Sequence, residues 1–179
     1  MNVIVWLLQS AGVQRHFVIR VNNPPHLPLM IEDTEVNGPR GIPCISVAFY
    51  TERNGRFACR PEMLFEVYNR RYSIQLRPFY YRDDFEPIEG YAVFYTGRIL
   101  VVDTAFLRFQ ENFAAQWNEK LEALGYEDAF HKSRKSSARQ ANAANTFSRP
   151  TDAMIQSQAG KRENGDHSRN EIQRTPKRR

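Results

Sequence analysis

The 179-residue sequence has only two cysteines, Cys44 and Cys59. Two thiols are too few for a disulfide framework or a four-cysteine zinc site, and they fit a reducing compartment such as the cytoplasm. The apolar run from Val3 to Leu8 is too short for a signal-peptide core or a membrane span, and no other stretch comes closer. The sequence therefore predicts a cytoplasmic protein without a membrane segment.

Charge and aromatic residues are distributed unevenly along the chain. Residues 1–128 hold 13 Lys and Arg against 16 Asp and Glu, a net charge of −3. Residues 129–179 hold 12 against 4, a net charge of +8, and only two of the 22 aromatic residues. A segment with so few apolar side chains does not bury enough surface to offset its chain entropy. We therefore expect one folded domain over 1–128 and a basic, disordered tail over 129–179.

Several segments of the predicted domain have the composition of β-strands. Ile42 to Thr51 is rich in β-branched and aromatic residues, and the Asn54-Gly55 pair that follows is a strong hairpin signal. Pro61 predicts an interruption of the next strand, because proline donates no ladder hydrogen bond. Further strands are predicted over 15–21, 29–31, 63–68, 72–81 and 91–102, the last with a turn at Thr96-Gly97.

A long amphipathic helix follows the predicted strands. Six apolar residues recur at intervals of three or four, which places them on one helix face: Phe106, Phe109, Phe113, Trp117, Leu121 and Leu124. Asp103 or Thr104 can cap its start, and Gly125 suits its end. A short N-terminal helix over the first apolar run is predicted to end at Gly12. The expected fold class is α+β, an antiparallel sheet of five or six strands with the long helix packed on it.

The histidines and cysteines do not form a recognisable catalytic motif. His16 lies in a predicted strand, and we interpret it as structural or solvent-facing. His26 lies in a proline-rich loop without an identifiable orienting partner, and we interpret it as inert. Cys44 lies in an apolar strand, which favours a buried structural thiol. The sequence thus predicts no catalytic residue, no cofactor and no metal ligand, and it favours a protein without enzymatic activity.

Two acidic clusters leave alternatives open. One follows a predicted strand and the other occupies a predicted turn: Glu32, Asp33 and Glu35, and Asp83, Asp84, Glu86 and Glu89. Converging carboxylates can bind Mg²⁺ or act as an acid/base pair, which would indicate a metal-dependent enzyme. They can also imitate phosphates and bind a basic protein. We favour solvated loops, since neither cluster has the residue order of a calcium loop.

The basic residues of the predicted tail supply a mechanism for binding nucleic acid. A cation that meets a phosphate releases counterions, which gives weak, salt-sensitive attraction without sequence preference. The tail lacks interleaved aromatic residues, so base stacking is not indicated. An ordinary solvated terminus is the alternative. The candidate residues are Lys132, Arg134, Lys135, Arg139, Lys177, Arg178 and Arg179.

Five motifs occur in order along the chain: Pro28 to Asp33, Gly38 to Ala48, Asn54-Gly55, Pro61 to Met63 and Phe113 to Asn118. Together they resemble an uncharacterised small domain of bacterial plasmid and other mobile-element proteins, from about Phe17 to Tyr126. The resemblance implies an accessory protein of transferable DNA, and it brings no catalytic residues.

Our leading hypothesis is a non-enzymatic accessory protein that binds a macromolecular partner, a protein in preference to a nucleic acid. In this hypothesis the basic tail adds nonspecific affinity for DNA or RNA. The first alternative is a nucleic-acid-binding protein that acts mainly through the tail. The second is the metal-dependent enzyme that uses the acidic clusters.

Overall fold

The computed structural model describes residues 1–12, 16–53, 55–70, 73–86 and 88–147. Within these residues the fold is α+β, as the sequence predicts, with one six-stranded antiparallel sheet, one two-stranded sheet and three helices. The helices are α1 (Asn2–Ala11), α2 (Thr104–Ala123) and α3 (Tyr126–Phe147). The strands are β1 (Val18–Val21), β2 (Leu29–Asn37), β3 (Pro43–Arg53), β4 (Arg56–Arg70), β5 (Ser73–Asp83), β6 (Ile88–Tyr91), β7 (Val93–Thr96) and β8 (Ile99–Val102).

The large sheet is a meander, in which β1 to β6 lie side by side in chain order. Every neighbouring pair is antiparallel. The predicted hairpin joins β3 to β4, where Arg53 pairs with Arg56 and Gly55 has a φ of 74°. A positive φ suits glycine, which has no Cβ to clash with the backbone. The hairpin predicted between these strands is therefore confirmed, with Gly55 in its turn, while Asn54 lies outside the described residues.

Pro61 lies inside one long strand, where the sequence predicts an interruption. The register of β3 and β4 shifts between Ala48 and Tyr50, so that Arg60 and Pro61 lie opposite Phe49 alone. A bulge of this kind holds an extra residue that makes no regular ladder bond, and proline is tolerated there. Pairing is thus disturbed at the predicted position while the strand continues beyond it.

One face of the large sheet is buried beneath α1 and α2. Val47, Met63 and Phe65 of the central strands have no exposed surface. They belong to one apolar cluster with Leu7 of α1 and Leu121 of α2. Since burial of apolar surface is the main driving force of folding, this layer supplies most of the stability of the domain. The predicted packing of the long helix on one sheet face is confirmed.

The buried stripe of α2 differs from the predicted one. Trp117 and Leu121 are buried as expected, but Phe109 is 37% exposed. The polar residues Gln110 and Asn118 are buried in its place. The buried face of the helix is therefore rotated from the purely apolar stripe that the spacing of hydrophobic residues indicates.

Buried Asn118 holds the start of α1. Its side-chain Oδ1 accepts the backbone N–H of Val3 at 3.0 Å. The first N–H groups of a helix have no partner within the helix, and the Met1 position supplies no side-chain cap. The amide of α2 therefore satisfies one of these donors. At its own start, α2 is capped as predicted, because the Asp103 carboxylate accepts the N–H of Phe106 at 2.9 Å.

On the opposite face of the sheet, the loop 38–41 covers the carboxylate of Glu66, which is fully buried. Arg40 donates to Glu66 from its backbone N–H at 2.7 Å and from Nη1 at 2.8 Å, and the Tyr68 hydroxyl donates at 3.2 Å. A Cβ added to Gly38 would lie 2.6 Å from Cγ of Glu66. The close approach of the loop therefore requires glycine at position 38.

The helix α3 crosses the position at which the sequence predicts the folded domain to end. Phe130 is buried, and its ring lies 6.1 Å from the ring of Trp6 in an edge-on contact. The Tyr126 hydroxyl donates to the carbonyl of Leu27 at 2.6 Å. Two aromatic residues one helical turn apart are too short a pattern to stand out in a polar sequence, which is why the sequence predicts the boundary near Asp128.

The chain divides into two compact units, Met1–Arg139 and Gln140–Arg179. The first holds the two sheets, α1, α2 and the first turns of α3. Of the second, residues 140–147 are described, and they are helical. The disorder predicted for residues 148–179 lies outside the described residues. In the part of the chain that the structure describes, no helix has the length and apolar character to cross a membrane.

Candidate functional site

The small sheet of β7 and β8 carries an unusual amount of exposed apolar surface. Ten large apolar side chains of the described residues are exposed, and seven of them lie between residues 88 and 102. Tyr95 is 58% exposed and Ile99 is 70% exposed. We call the exposed large apolar residues at positions 91 to 102 the hairpin surface: Tyr91, Phe94, Tyr95, Ile99, Leu100 and Val102.

Apolar residues occupy both faces of this hairpin. Tyr95 pairs with Leu100, and Phe94 pairs with Val101. Because successive side chains of a strand point to opposite faces, these two pairs lie on opposite sides of the ribbon. A surface hairpin commonly has one polar face, so apolar residues on both sides of this ribbon are unusual.

The base of the hairpin is fixed to the domain. Ala92 and Val93 have no exposed surface. The N–H of Ala92 donates to the carbonyl of Phe79 at 2.8 Å, and the N–H of Asp103 donates to the carbonyl of Ala92 at 2.8 Å. The hairpin surface therefore projects from a buried, hydrogen-bonded base that sets its orientation.

The edges of the hairpin are also unprotected by charge. A two-stranded sheet has two open edges, and natural proteins usually protect such edges with charged residues, proline or a bulge. Arg98, in the turn, is the one charged residue in the sequence from Val93 to Val102. The sequence predicts these strands and their turn, but it does not indicate that their side chains stay exposed.

The first acidic cluster lies within β2, where the sequence predicts the end of a strand. Asp33 accepts the backbone N–H of His16 at 2.8 Å and that of Glu35 at 3.0 Å. Glu35 has a φ of 60°, and the register of β2 shifts after Asp33. Asp33 therefore stabilises a local irregularity in β2 that accommodates the positive φ of Glu35. The strand continues beyond this irregularity to Asn37.

The second acidic cluster forms the turn after β5, as predicted. Asp83 Oδ1 accepts the backbone N–H groups of Phe85 and Glu86 at 2.9 and 3.3 Å. Asp84 accepts from Arg82 Nε at 2.7 Å and Nη2 at 3.0 Å, and from the backbone N–H of Cys59 at 2.8 Å. These carboxylates therefore stabilise the turn and tie it to β4.

The two acidic clusters lie too far apart to share a metal ion. β2 and β5 are separated by β3 and β4. Three strand spacings amount to about 14 Å, whereas carboxylate oxygens bind Mg²⁺ or Ca²⁺ at about 2.0–2.6 Å. Within the described residues, no group of three or more His, Cys, Asp or Glu side chains is arranged to hold a metal.

Both cysteines are free and buried. Cys44 Sγ lies 3.0 Å from Thr34 Oγ1 and 3.2 Å from the carbonyl oxygen of Val36, and burial raises the pKa of the Cys44 thiol. Burial, together with the Glu62 carboxylate, raises the pKa of Cys59 to about 11. A raised pKa leaves little thiolate at neutral pH, so neither cysteine is activated as a nucleophile.

The predicted nucleic-acid-binding residues have different environments. Lys132, Arg134 and Lys135 are exposed on α3. Arg134 also donates to the carbonyl of Ser10 near the end of α1, and it lies over the ring of Phe130. The positive charge of Arg134 therefore interacts with the C-terminal end of α1, where a cation is favourable. The side chain of Arg139 and all of Lys177, Arg178 and Arg179 lie outside the described residues.

His16 and His26 are distant in sequence from the hairpin surface. His16 is exposed, and its Nδ1 lies 3.1 Å from Glu35 Oε1. His26 is exposed in the loop between β1 and β2, and its backbone N–H donates to the carbonyl of Asn23 at 2.8 Å.

Residues 2–127 match a family described as a domain of unknown function (DUF6908). The chain belongs to this family. No curated protein and no solved structure matches the chain. The DUF6908 match contains α1 and the whole hairpin surface, and it ends before the basic residues of α3. The region of resemblance found in the sequence, Phe17 to Tyr126, lies inside the match.

Proposed function

We propose that this DUF6908 protein is a non-enzymatic accessory protein that binds a protein partner through the hairpin surface. The supporting observation is the exposure of apolar side chains on both faces of β7 and β8 above a buried base. Burying such a surface is favourable, and aromatic residues such as Tyr95 are enriched among the residues that dominate binding energy. The setting that we propose is a bacterial mobile element, on the basis of the motifs that extend from Pro28 to Asn118.

The proposed compartment is the cytoplasm. Cys44 and Cys59 are both free, and thiols persist in that form in a reducing compartment. The basic residues of 129–179 add weak, nonspecific affinity for DNA or RNA in this proposal. Residues 1–128 have a net charge of −3 and do not attract nucleic acid by their overall charge. In this proposal the basic residues therefore add to binding at the protein interface and do not replace it.

A pair of photo-crosslinking variants tests the protein interface. A benzophenone amino acid replaces Tyr95 in one variant and Val18 in the other, since Val18 is also an apolar strand residue and is 65% exposed. We expect a discrete protein adduct in host cells from position 95 and none from position 18. Equal labelling from both positions would show that the hairpin surface has no special role.

The purified partner then permits a quantitative measurement. Tyr95→Ser combined with Ile99→Ser should weaken its binding at least roughly tenfold, because each change removes an apolar anchor. Val18→Ser combined with Val36→Ser is the matched control, as these residues are exposed on the large sheet. Unchanged affinity of the hairpin variant, with an unchanged unfolding midpoint, would contradict the proposed interface.

The alternative, a protein that binds nucleic acid mainly through the tail, has one supporting observation. Lys132 and Lys135 are exposed on α3 and are available to phosphates. A full-length variant with five cations changed to glutamine tests it: Lys132, Lys135, Lys177, Arg178 and Arg179. Each lost phosphate contact should lower the salt dependence of DNA affinity by about 0.9 in log–log slope. Lys120→Gln is the control, and unchanged affinity and slope would exclude a role for these cations.

A further inference from the structure

The strands β4 and β5 meet in a stretch of sequence without acidic residues. Residues 67–81 include three arginines and no Asp or Glu, although residues 1–128 have a net charge of −3. Two of these arginines, Arg70 and Arg77, are exposed, and the third, Arg71, lies outside the described residues. A local excess of positive charge therefore exists in a domain that is acidic as a whole.

The register of the two strands places both exposed arginines on the sheet face opposite α1 and α2. Val67 and Leu76 are paired, and they pack against the apolar cluster beneath the helices. Their neighbours Tyr68 and Arg77 therefore point to the other face, because successive side chains of a strand alternate. Arg70, two residues beyond Tyr68, points the same way.

Tyr68 lies between the two arginines, and its ring is held in place. Its hydroxyl donates to the buried carboxylate of Glu66 at 3.2 Å, and Cζ of Arg77 lies 4.7 Å from the ring centroid. Arg40 already balances the charge of Glu66, at 2.8 Å. The ion pairs of the described residues involve other cations, so Arg70 and Arg77 have no carboxylate partner among them. Two guanidinium groups are therefore free to meet an anion.

The separation of these cations indicates an extended anion. Arg77 is paired with Glu66 and Arg70 with Ser73, so the two arginines lie four residues apart along the strands, or about 13 Å. Such a separation suits successive phosphates of a nucleic acid better than one small anion. Proteins that bind single strands combine cations of this kind with aromatic rings and guanidinium planes on which bases stack.

We propose that Tyr68, Arg70 and Arg77 form a binding surface for single-stranded nucleic acid, which we call the arginine surface. The guanidinium groups of Arg70 and Arg77 contact phosphates, and a base stacks against the pair of Arg77 and Tyr68. The arginine surface shares no residue with the hairpin surface. It also lies in the folded domain, so it is separate from the cations of the basic tail.

Fluorescence anisotropy of a labelled oligothymidine strand tests the proposal on the full-length protein. The background is a variant with five tail cations changed to glutamine: Lys132, Lys135, Lys177, Arg178 and Arg179. Salt-dependent binding should persist in this background, so that the result is distinct from the contribution of those tail cations. Absence of salt-dependent binding there would overturn the proposal.

Paired variants in this background locate the binding. Arg70→Gln with Arg77→Gln should weaken binding roughly tenfold and lower the log–log salt slope by about 1.4, since each phosphate contact of a single strand contributes about 0.7. Arg56→Gln with Arg60→Gln is the matched control near the other end of β4, where Arg60 is also exposed and lies 4.6 Å from an aromatic ring, that of Phe85 in the acidic turn. Equal weakening by the two pairs would mean that only overall charge matters and would overturn the proposal.

Two further comparisons test the kind of partner. Arg70→Lys with Arg77→Lys keeps the charge and loses the planar groups, so the salt slope should stay while affinity falls by roughly threefold. A duplex has the denser charge and would be preferred by electrostatic attraction alone, yet its paired bases are not free to stack on Tyr68. The single strand should therefore bind more tightly than the duplex. A duplex or a poly-glutamate chain that binds as tightly as the single strand would show that the proposed partner is wrong.

Discussion

The large sheet and the hairpin of β7 and β8 contain the same kinds of apolar residue, but these residues are buried in the sheet and exposed in the hairpin. Met63 and Phe65 of the large sheet have no exposed surface, because α1 and α2 pack over them. Tyr95 and Ile99 of the hairpin are more than half exposed. A segment of this chain can therefore form a strand without being buried. Its apolar side chains are buried where a helix covers the strand. Substitutions in the covered sheet, in the loop and helix that pack against it, and in the hairpin should therefore differ in their effect on stability.

The largest effect is expected from Phe65→Ala in the covered sheet. Loss of a fully buried aromatic side chain leaves a cavity and should lower the free energy of unfolding by about 3–5 kcal/mol. Phe94→Ala in the hairpin removes the same side chain from an exposed site and should cost far less. Urea denaturation measures both. Equal losses would mean that the hairpin contributes to the core as much as the sheet does.

A smaller loss is expected at the loop that covers the other face of the sheet. Arg40→Leu leaves the buried carboxylate of Glu66 without its cation, which should cost about 3 kcal/mol. Arg56→Leu, at an exposed position of β4, is the control and should have little effect. Thermal unfolding of both variants provides the measurement. A stable Arg40→Leu protein would show that the loop is not needed to cover Glu66.

A gain in stability is expected at Gln110 of α2. Its Oε1 and Nε2 are buried and have no hydrogen-bond partner among the described residues. A buried polar group without a partner costs about 1–3 kcal/mol, so Gln110→Met should raise the free energy of unfolding by about 1 kcal/mol. Gln116→Met, on the exposed face of the same helix, should be neutral. A destabilised Gln110→Met protein would indicate that the amide has a partner after all.

The smallest effect on stability is expected in the hairpin itself. Tyr95→Ser with Ile99→Ser should change the free energy of unfolding by no more than about 0.5 kcal/mol per site, as is usual for exposed positions. Differential scanning calorimetry of this variant against Val18→Ser with Val36→Ser checks the expectation. A large loss would place these side chains in the core and remove the contrast with the large sheet.

Local signals explain what the sequence predicts correctly. Gly12 ends α1, Asp103 caps α2, and Gly55 has the positive φ of a tight turn between β3 and β4, each through the conformation of a few adjacent residues. The class of fold follows from these elements and from the amphipathic pattern of α2. The order of strands in the sheet was not predicted, because strand pairing depends on contacts between residues distant in sequence.

The missed features all depend on packing between distant segments. Asn118 is buried because it meets Val3, and Phe130 is buried because it meets Trp6. The exposure of Tyr95 depends on the lack of a covering element among the described residues. The juxtaposition of His16 and Glu35 requires two unusual backbone conformations that side-chain patterns do not encode. The hairpin surface therefore does not follow from the sequence, although the strands that carry it, within residues 91–102, were predicted.

The contact between Val3 and Asn118 also bears on synthesis of the chain. The two residues are 115 positions apart. At about 5–20 residues per second, the ribosome completes the partner of α1 roughly ten seconds after α1 itself. During that interval the apolar face of α1 has no α2 to pack against, and exposed apolar surface promotes aggregation of incomplete chains. The N-terminal segment thus gains its full packing only after α2 has been synthesised.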